Sequence, residues 1–114
     1  MAEIAACAAG EDVALSVVTV LELAHGAARA GAPQRKAVRQ QFIYELIAAI
    51  PVQPVSVSVA LGAGQIDGEN TAKDVILPLS DLLIGVTALD LGYRVATGNV
   101  RHFQAIPGVS VVTL

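Results

Sequence analysis

Glu22 is a carboxylate in a setting that does not suit one. It lies within Val17-Val-Thr-Val-Leu-Glu-Leu-Ala24, where apolar side chains flank it on nearly every side of a helix. Acids are seldom found among apolar neighbours unless they are paired or bind a metal. His25 and Arg29 follow at three and seven residues on the same helical face, so an internal pairing explains Glu22 as well as a functional role does. Asp81 repeats the pattern, because the eight residues after it carry no charge. A carboxylate at a helix amino terminus is stabilised by free N–H groups and the dipole, so capping is the alternative for Asp81, although Ser80 could cap alone. Asp90 comes nine residues later, about 180° round the helix, so one of the two faces the core and the other does not.

The elements that would carry these residues alternate between strand-like and helix-like segments. Val13–Ser16 reads as a short buried strand, and Ser16 or Thr19 can cap a helix from Val17 to Ala30. Pro33 suits the first turn of a second helix, over Gln34–Ile50, in which Val38, Phe42, Ile43, Leu46, Ile47 and Ile50 recur at three- and four-residue intervals. Val52–Val55 is a strand, Ser56–Asp67 a helix, and Gly68–Leu77 a loop or short helix. Pro78 and Gly92 bound a buried helix. Arg94–Thr97 is a strand, Val100–Phe103 a helical turn and Val109–Thr113 a last strand, while Met1–Ala9 resembles the end of a helix closed by Gly10. Strands separated by helices predict an α/β fold of three layers, a parallel sheet flanked by helices.

In such sheets ligands sit beyond the carboxyl ends of the strands, where the following helices begin. Glu22 in the early turns after the first strand, Asp81 at a helix start and Asn99 after Thr97 all fall at that edge. Carboxylates gathered there would repel one another, and a divalent cation relieves this. Oxygen ligands favour Mg²⁺ or Mn²⁺ over zinc.

Composition narrows the choices. A chain of 114 residues, 54% apolar and 15% charged, makes one folded domain over 1–114. The uncharged stretch Leu46–Ile66 is broken by Pro51, Pro54 and scattered polar residues, which argues against a membrane span. No basic stretch precedes Ile4–Ala9, so no secretory signal is expected. The single cysteine, Cys7, fits a reducing cytoplasm and reads as a small buried residue. A net charge of −3 argues against a broad phosphate-binding surface. Arg29, Arg35, Lys36 and Arg39 cluster within eleven positions, which reads as a solvated helix face. Gly62-Ala-Gly64 and Gly68 fail the dinucleotide fingerprint, because Asp67 stands at the third glycine's place, and no phosphate-binding lysine loop exists.

Three segments in succession, Ser16-Val-Val-Thr-Val-Leu-Glu-Leu-Ala-His-Gly-Ala-Ala-Arg-Ala30, Ser80-Asp-Leu-Leu-Ile-Gly-Val-Thr-Ala-Leu89, and Gly92-Tyr-Arg-Val-Ala-Thr-Gly-Asn-Val-Arg-His-Phe103 followed by Ile106-Pro-Gly108, resemble the PIN-domain ribonucleases of VapC type. These are the toxins of bacterial toxin–antitoxin pairs. The resemblance runs from Val13 to Leu114. It implies a Mg²⁺-dependent ribonuclease in which Glu22 and Asp81 hold the metal and Asn99 takes the position that is aspartate or asparagine among members. It also implies an antitoxin partner, a homodimer and an RNA substrate. Arg29 or Arg101 would contact phosphate, with solvation the competing account of Arg101; His102, beside Phe103, reads as structural. Members begin with a central strand ending in an aspartate that is a metal ligand. No such strand stands here, so the resemblance implies an amino-terminally shortened domain, for which Glu11 and Asp12 are no substitutes. A non-catalytic module that binds an antitoxin or a second copy of itself is the rival reading.

Overall fold

The computed structural model describes residues 6–9 and 12–113. In chain order the elements are β1 (Ala6–Ala9), β2 (Asp12–Ser16), α1 (Val17–Ala28), α2 (Pro33–Ala49), β3 (Val52–Gln53), α3 (Val57–Ala72), α4 (Leu79–Leu91), β4 (Arg94–Thr97), α5 (Val100–Gln104) and β5 (Val111–Thr113). The five strands form one sheet in the order β3-β2-β1-β4-β5. β2 pairs with β3, and β4 with β5, in parallel. The expected α/β architecture is present, with four strands running the same way.

The fifth strand departs from expectation. Ala6–Ala9 is a strand rather than a helix end, and it runs antiparallel to both β2 and β4. Met1–Ala5, Gly10 and Glu11 lie outside the described residues. Alanine and cysteine tolerate a helix, but the slot between β2 and β4 offers backbone partners on both sides, and buried N–H and C=O groups must be satisfied. Cys7 pairs with Ala14 on one side and Val95 on the other, and all three are buried.

Local chemistry explains most boundaries. The Val18 N–H donates to Ser16 Oγ at 3.1 Å, so Ser16 rather than Thr19 caps α1, and Thr19 is buried within the helix. Ser56 caps α3 in the same way, receiving the Val59 N–H. α3 runs to Ala72, past the expected stop at Asp67. Gly68 keeps ordinary helical geometry there, and the Gln65–Glu69 side-chain bond and Thr71 Oγ1 to the Asp67 carbonyl both bridge it. The chain turns after α3 at Asp74, whose φ of +58° ends helical geometry and suits a short polar side chain. Gly92, at φ +71°, closes α4 as its left-handed cap.

α4 is the helix at the heart of the core. Leu82, Ile84, Gly85, Val86, Thr87 and Ala88 are all buried, and they pack with Cys7, Val59, Ala63, Val95, Phe103 and Ile106. α2 is its opposite. Of the apolar residues that recur along this amphipathic helix, only Ile43 is buried, while Val38, Phe42 and Ile47 are exposed. α2 packs on α1, and the Arg39 guanidinium donates to the Gly26 carbonyl at 3.0 Å. Arg39 therefore serves this helix pair, whereas Arg29, Arg35 and Lys36 are exposed. Among the described residues no helix is long and apolar enough to cross a membrane.

Candidate functional site

β2 and β4 both oppose β1, so they point the same way and their carboxyl ends lie at one edge of the sheet. β2 feeds directly into α1, which carries Glu22 in its second turn. β4 ends at Thr97 and is followed by Asn99, which opens α5. The turn between them is fixed by a hydrogen bond from the Asn99 backbone N–H to the buried Thr97 Oγ1, at 3.0 Å.

Asp81 lies in the first turn of α4. Pro78 takes the cap position, and no side chain supplies a capping bond, so neither Asp81 nor Ser80 is used in that way. The Asp81 carboxylate meets α5 instead: its Oδ2 lies 2.5 Å from His102 Nδ1. The two side chains are 17% and 41% exposed, respectively. Asn99 Nδ2 approaches the same ring nitrogen at 2.9 Å. One nitrogen cannot serve both neighbours as drawn. With Asp81 ionised, Nδ1 carries a proton and donates it to Oδ2, which leaves no lone pair for an amide N–H. Asn99 then meets the ring through its oxygen, the end that is interchangeable with nitrogen in shape.

The structure thus joins two of the expected site residues, Asp81 and Asn99, through a third, His102. By sequence alone His102, beside Phe103, reads as structural. Its three-residue spacing from Asn99 on a helical turn was the available signal, since such residues share a face.

No hydrogen bond or ion pair joins Glu22 to this cluster among the described residues. It is half-buried beside a cleft between α1 and α2, also lined by Gly26, Arg39, Phe42 and Ile43. Among the described residues its carboxylate makes no hydrogen bond or ion pair, so the alternative pairing with His25 or Arg29 is not formed. Arg29 closes α1 and Arg101 lies on α5; both are exposed, and neither guanidinium has a hydrogen-bond partner among the described residues. Asp12 begins β2, at the far end of that strand from the site.

Among the described residues no three His, Cys, Asp or Glu side chains converge as a metal cluster. A closed zinc cage is not available from them. Carboxylate and amide oxygens do fit Mg²⁺, which is commonly held through one or two carboxylates and keeps several waters.

Comparison with known proteins places the chain in a family. Residues 2–109 match the PIN domain model. The chain is 34% identical over 98 residues to the tRNA(fMet)-specific endonuclease VapC of Salmonella typhimurium, covering 85% of this chain and 71% of that protein. A chain in the crystal structure of DNA-bound VapBC from Salmonella typhimurium superposes with a TM-score of 0.73 at 32% identity, over 88% of this chain and 74% of that one. VapBC-1 from nontypeable Haemophilus influenzae shares the fold, with a TM-score of 0.79 at 22% identity over 93% and 77% of the two chains. The chain belongs to the PIN-domain family and, within it, to the VapC type.

Proposed function

We propose that this chain is a Mg²⁺-dependent endoribonuclease toxin of a toxin–antitoxin pair, hydrolysing RNA phosphodiester bonds with Glu22 and Asp81 as its metal-holding acids. The observation that supports it best is the state of Asp81: a half-buried carboxylate at the start of α4, not used as a cap, held by His102 at the edge where ligands of α/β sheets bind. Kinship to a VapC endonuclease acting on tRNA(fMet) agrees with this reading. When bound, Mg²⁺ or Mn²⁺ supplies a polarised phosphodiester and an activated water.

The protein's own groups do the rest. Glu22 brings a carboxylate with no competing partner among the described residues, and Asp81 brings one that His102 meets at a single oxygen. Asn99 has an amide able to hold a water or a phosphate oxygen. Arg29 and Arg101 are free to meet phosphates. A net charge of −3 favours a narrow RNA contact near these residues over a broad basic face. Kinship to VapBC complexes supports an antitoxin partner, with a homodimer and a cytoplasmic location as further parts of the reading.

RNA cleavage by this chain, with Mg²⁺ and with chelator, tests the proposal. Asp81→Ala is expected to lower metal-dependent cleavage on the order of 100-fold or more. Full metal-dependent activity in that variant would overturn the assignment.

One observation favours a second reading, a non-catalytic module that binds an antitoxin or another copy of itself. α2 exposes Val38, Phe42, Tyr44 and Ile47, an apolar surface of the kind that partners cover. A folded chain that binds antitoxin and neither binds Mg²⁺ nor cleaves RNA would favour it over the first.

A further inference from the structure

We propose that His102 is a positioning residue for Asp81, its Nδ1–H holding one carboxylate oxygen so that the other stays free in a fixed orientation; this rests on the proposed metal site. An aspartate's terminal torsion is broad and nearly two-fold, so an unheld carboxylate at a helix start samples many orientations. The bond from His102 Nδ1 occupies Oδ2 and leaves Oδ1 uncommitted. Asn99 meets the same ring nitrogen, and its own position is set by Thr97. The ring therefore sits at the end of a short relay that begins at a buried strand residue and ends on the candidate metal-holding acid.

A purely structural role, pinning α5 to α4, is the competing account. The contact is poorly suited to it. α5 is already anchored by Phe103, and the turn after it by Ile106; both are buried against the core and approach Gly85 of α4. A hydrogen-bonded pair with a 41% exposed histidine adds little to that. Outer-sphere partners of this kind orient the ligands that touch a metal, and losing one typically costs about 10- to 100-fold in metal affinity.

The test is Mn²⁺ binding, followed by electron paramagnetic resonance on the full chain, with the thermal unfolding midpoint measured beside it. Wild type is compared with Asp81→Ala, His102→Leu, His102→Asn and His102→Gln. Asparagine can place an N–H near the Nδ1 position, whereas glutamine places its amide near Nε2. His102→Leu is expected to weaken Mn²⁺ binding about 10- to 100-fold, with the midpoint little changed and His102→Asn restoring most of the affinity where His102→Gln does not. Wild-type affinity in His102→Leu, alongside lost binding in Asp81→Ala, would overturn the role of His102 and leave the metal site standing. If His102→Leu fails to fold, equal affinities in the asparagine and glutamine variants would overturn it in the same way. No Mn²⁺ binding by wild type, or undiminished binding in Asp81→Ala, would overturn the metal site itself and this inference with it.

Discussion

Asp81 and Asp90 are the same side chain on the same helix. Asp81 is half-buried against His102, while Asp90 is exposed and accepts only a 3.3 Å bond from Ser58 Oγ. Nine residues of helix place them on opposite sides, so one reaches the sheet edge and the other meets solvent. Cys7 shows how strongly surroundings act on a single group. Burial at the centre of the sheet raises its pKa from the usual 9.0 to about 11. At pH 8 the folded thiol is therefore ionised in about one molecule in a thousand, and native protein should resist a thiolate-directed reagent that modifies the unfolded chain quickly. The same shift has a stability consequence. Between pH 9 and 11 the unfolded chain releases this proton and the folded chain keeps it, so stability falls as pH rises through that window, by up to about 1.4 kcal/mol per unit. Urea midpoints at pH 8 and pH 10, with Cys7→Ala as reference, check the sign.

Among the elements, α4 is crowded at Gly85 and α3 is open at Gly68. A Cβ at Gly85 would lie 2.6 Å from Ile106 Cδ1, with Phe103 and Val109 at 3.6 Å. Glycine suits this position because side chains crowd it, not because of a special backbone angle. Gly85→Val is expected to destabilise the fold by about 1–3 kcal/mol through overpacking. Gly68 on α3 has nothing within 4 Å of a built Cβ. Gly68→Ala should therefore stabilise by about 0.5–1 kcal/mol, since alanine loses less backbone entropy on entering a helix. Urea denaturation of the two variants beside wild type checks both directions. The contrast also explains why the glycine at 68 did not end its helix. Its intrinsic cost is small beside the packing of α3 on α4, and the side-chain bonds across it hold the local geometry.

At the scale of the whole molecule, charge limits how RNA can be held. With a net charge of −3 and Arg29 and Arg101 as the cations proposed to meet phosphate, few counterions are displaced. Single-stranded RNA binding to the catalytically silenced Asp81→Ala chain should then show a log–log salt slope of about −1.4, corresponding to two phosphates. A slope steeper than about −5 would require a broad basic surface and contradict the narrow contact. The molecule's other large-scale feature is the unequal burial of its helices: α4 is buried through its middle, whereas α2 packs on α1 and leaves Val38, Phe42, Tyr44 and Ile47 exposed.

The sequence by itself determined whatever depends on neighbours along the chain. Proline and glycine bounded α4, the start of α1 was marked by two candidate caps, Ser16 and Thr19, and Arg94–Thr97 was a strand from its own composition, because caps and strand preferences act over a few residues. The order of these segments and the acids at their ends were enough for the α/β class and the family resemblance. Tertiary structure decided what depends on who sits opposite. Ala6–Ala9 became a strand because two strands offered it partners, and much of the stripe on α2 stayed exposed because periodicity marks a face without saying what covers it. Whether Asp81 capped a helix or met another group could not be read from its neighbours. His102 lies 21 residues away, and only the packing of α5 beside α4 brings the two within hydrogen-bonding distance.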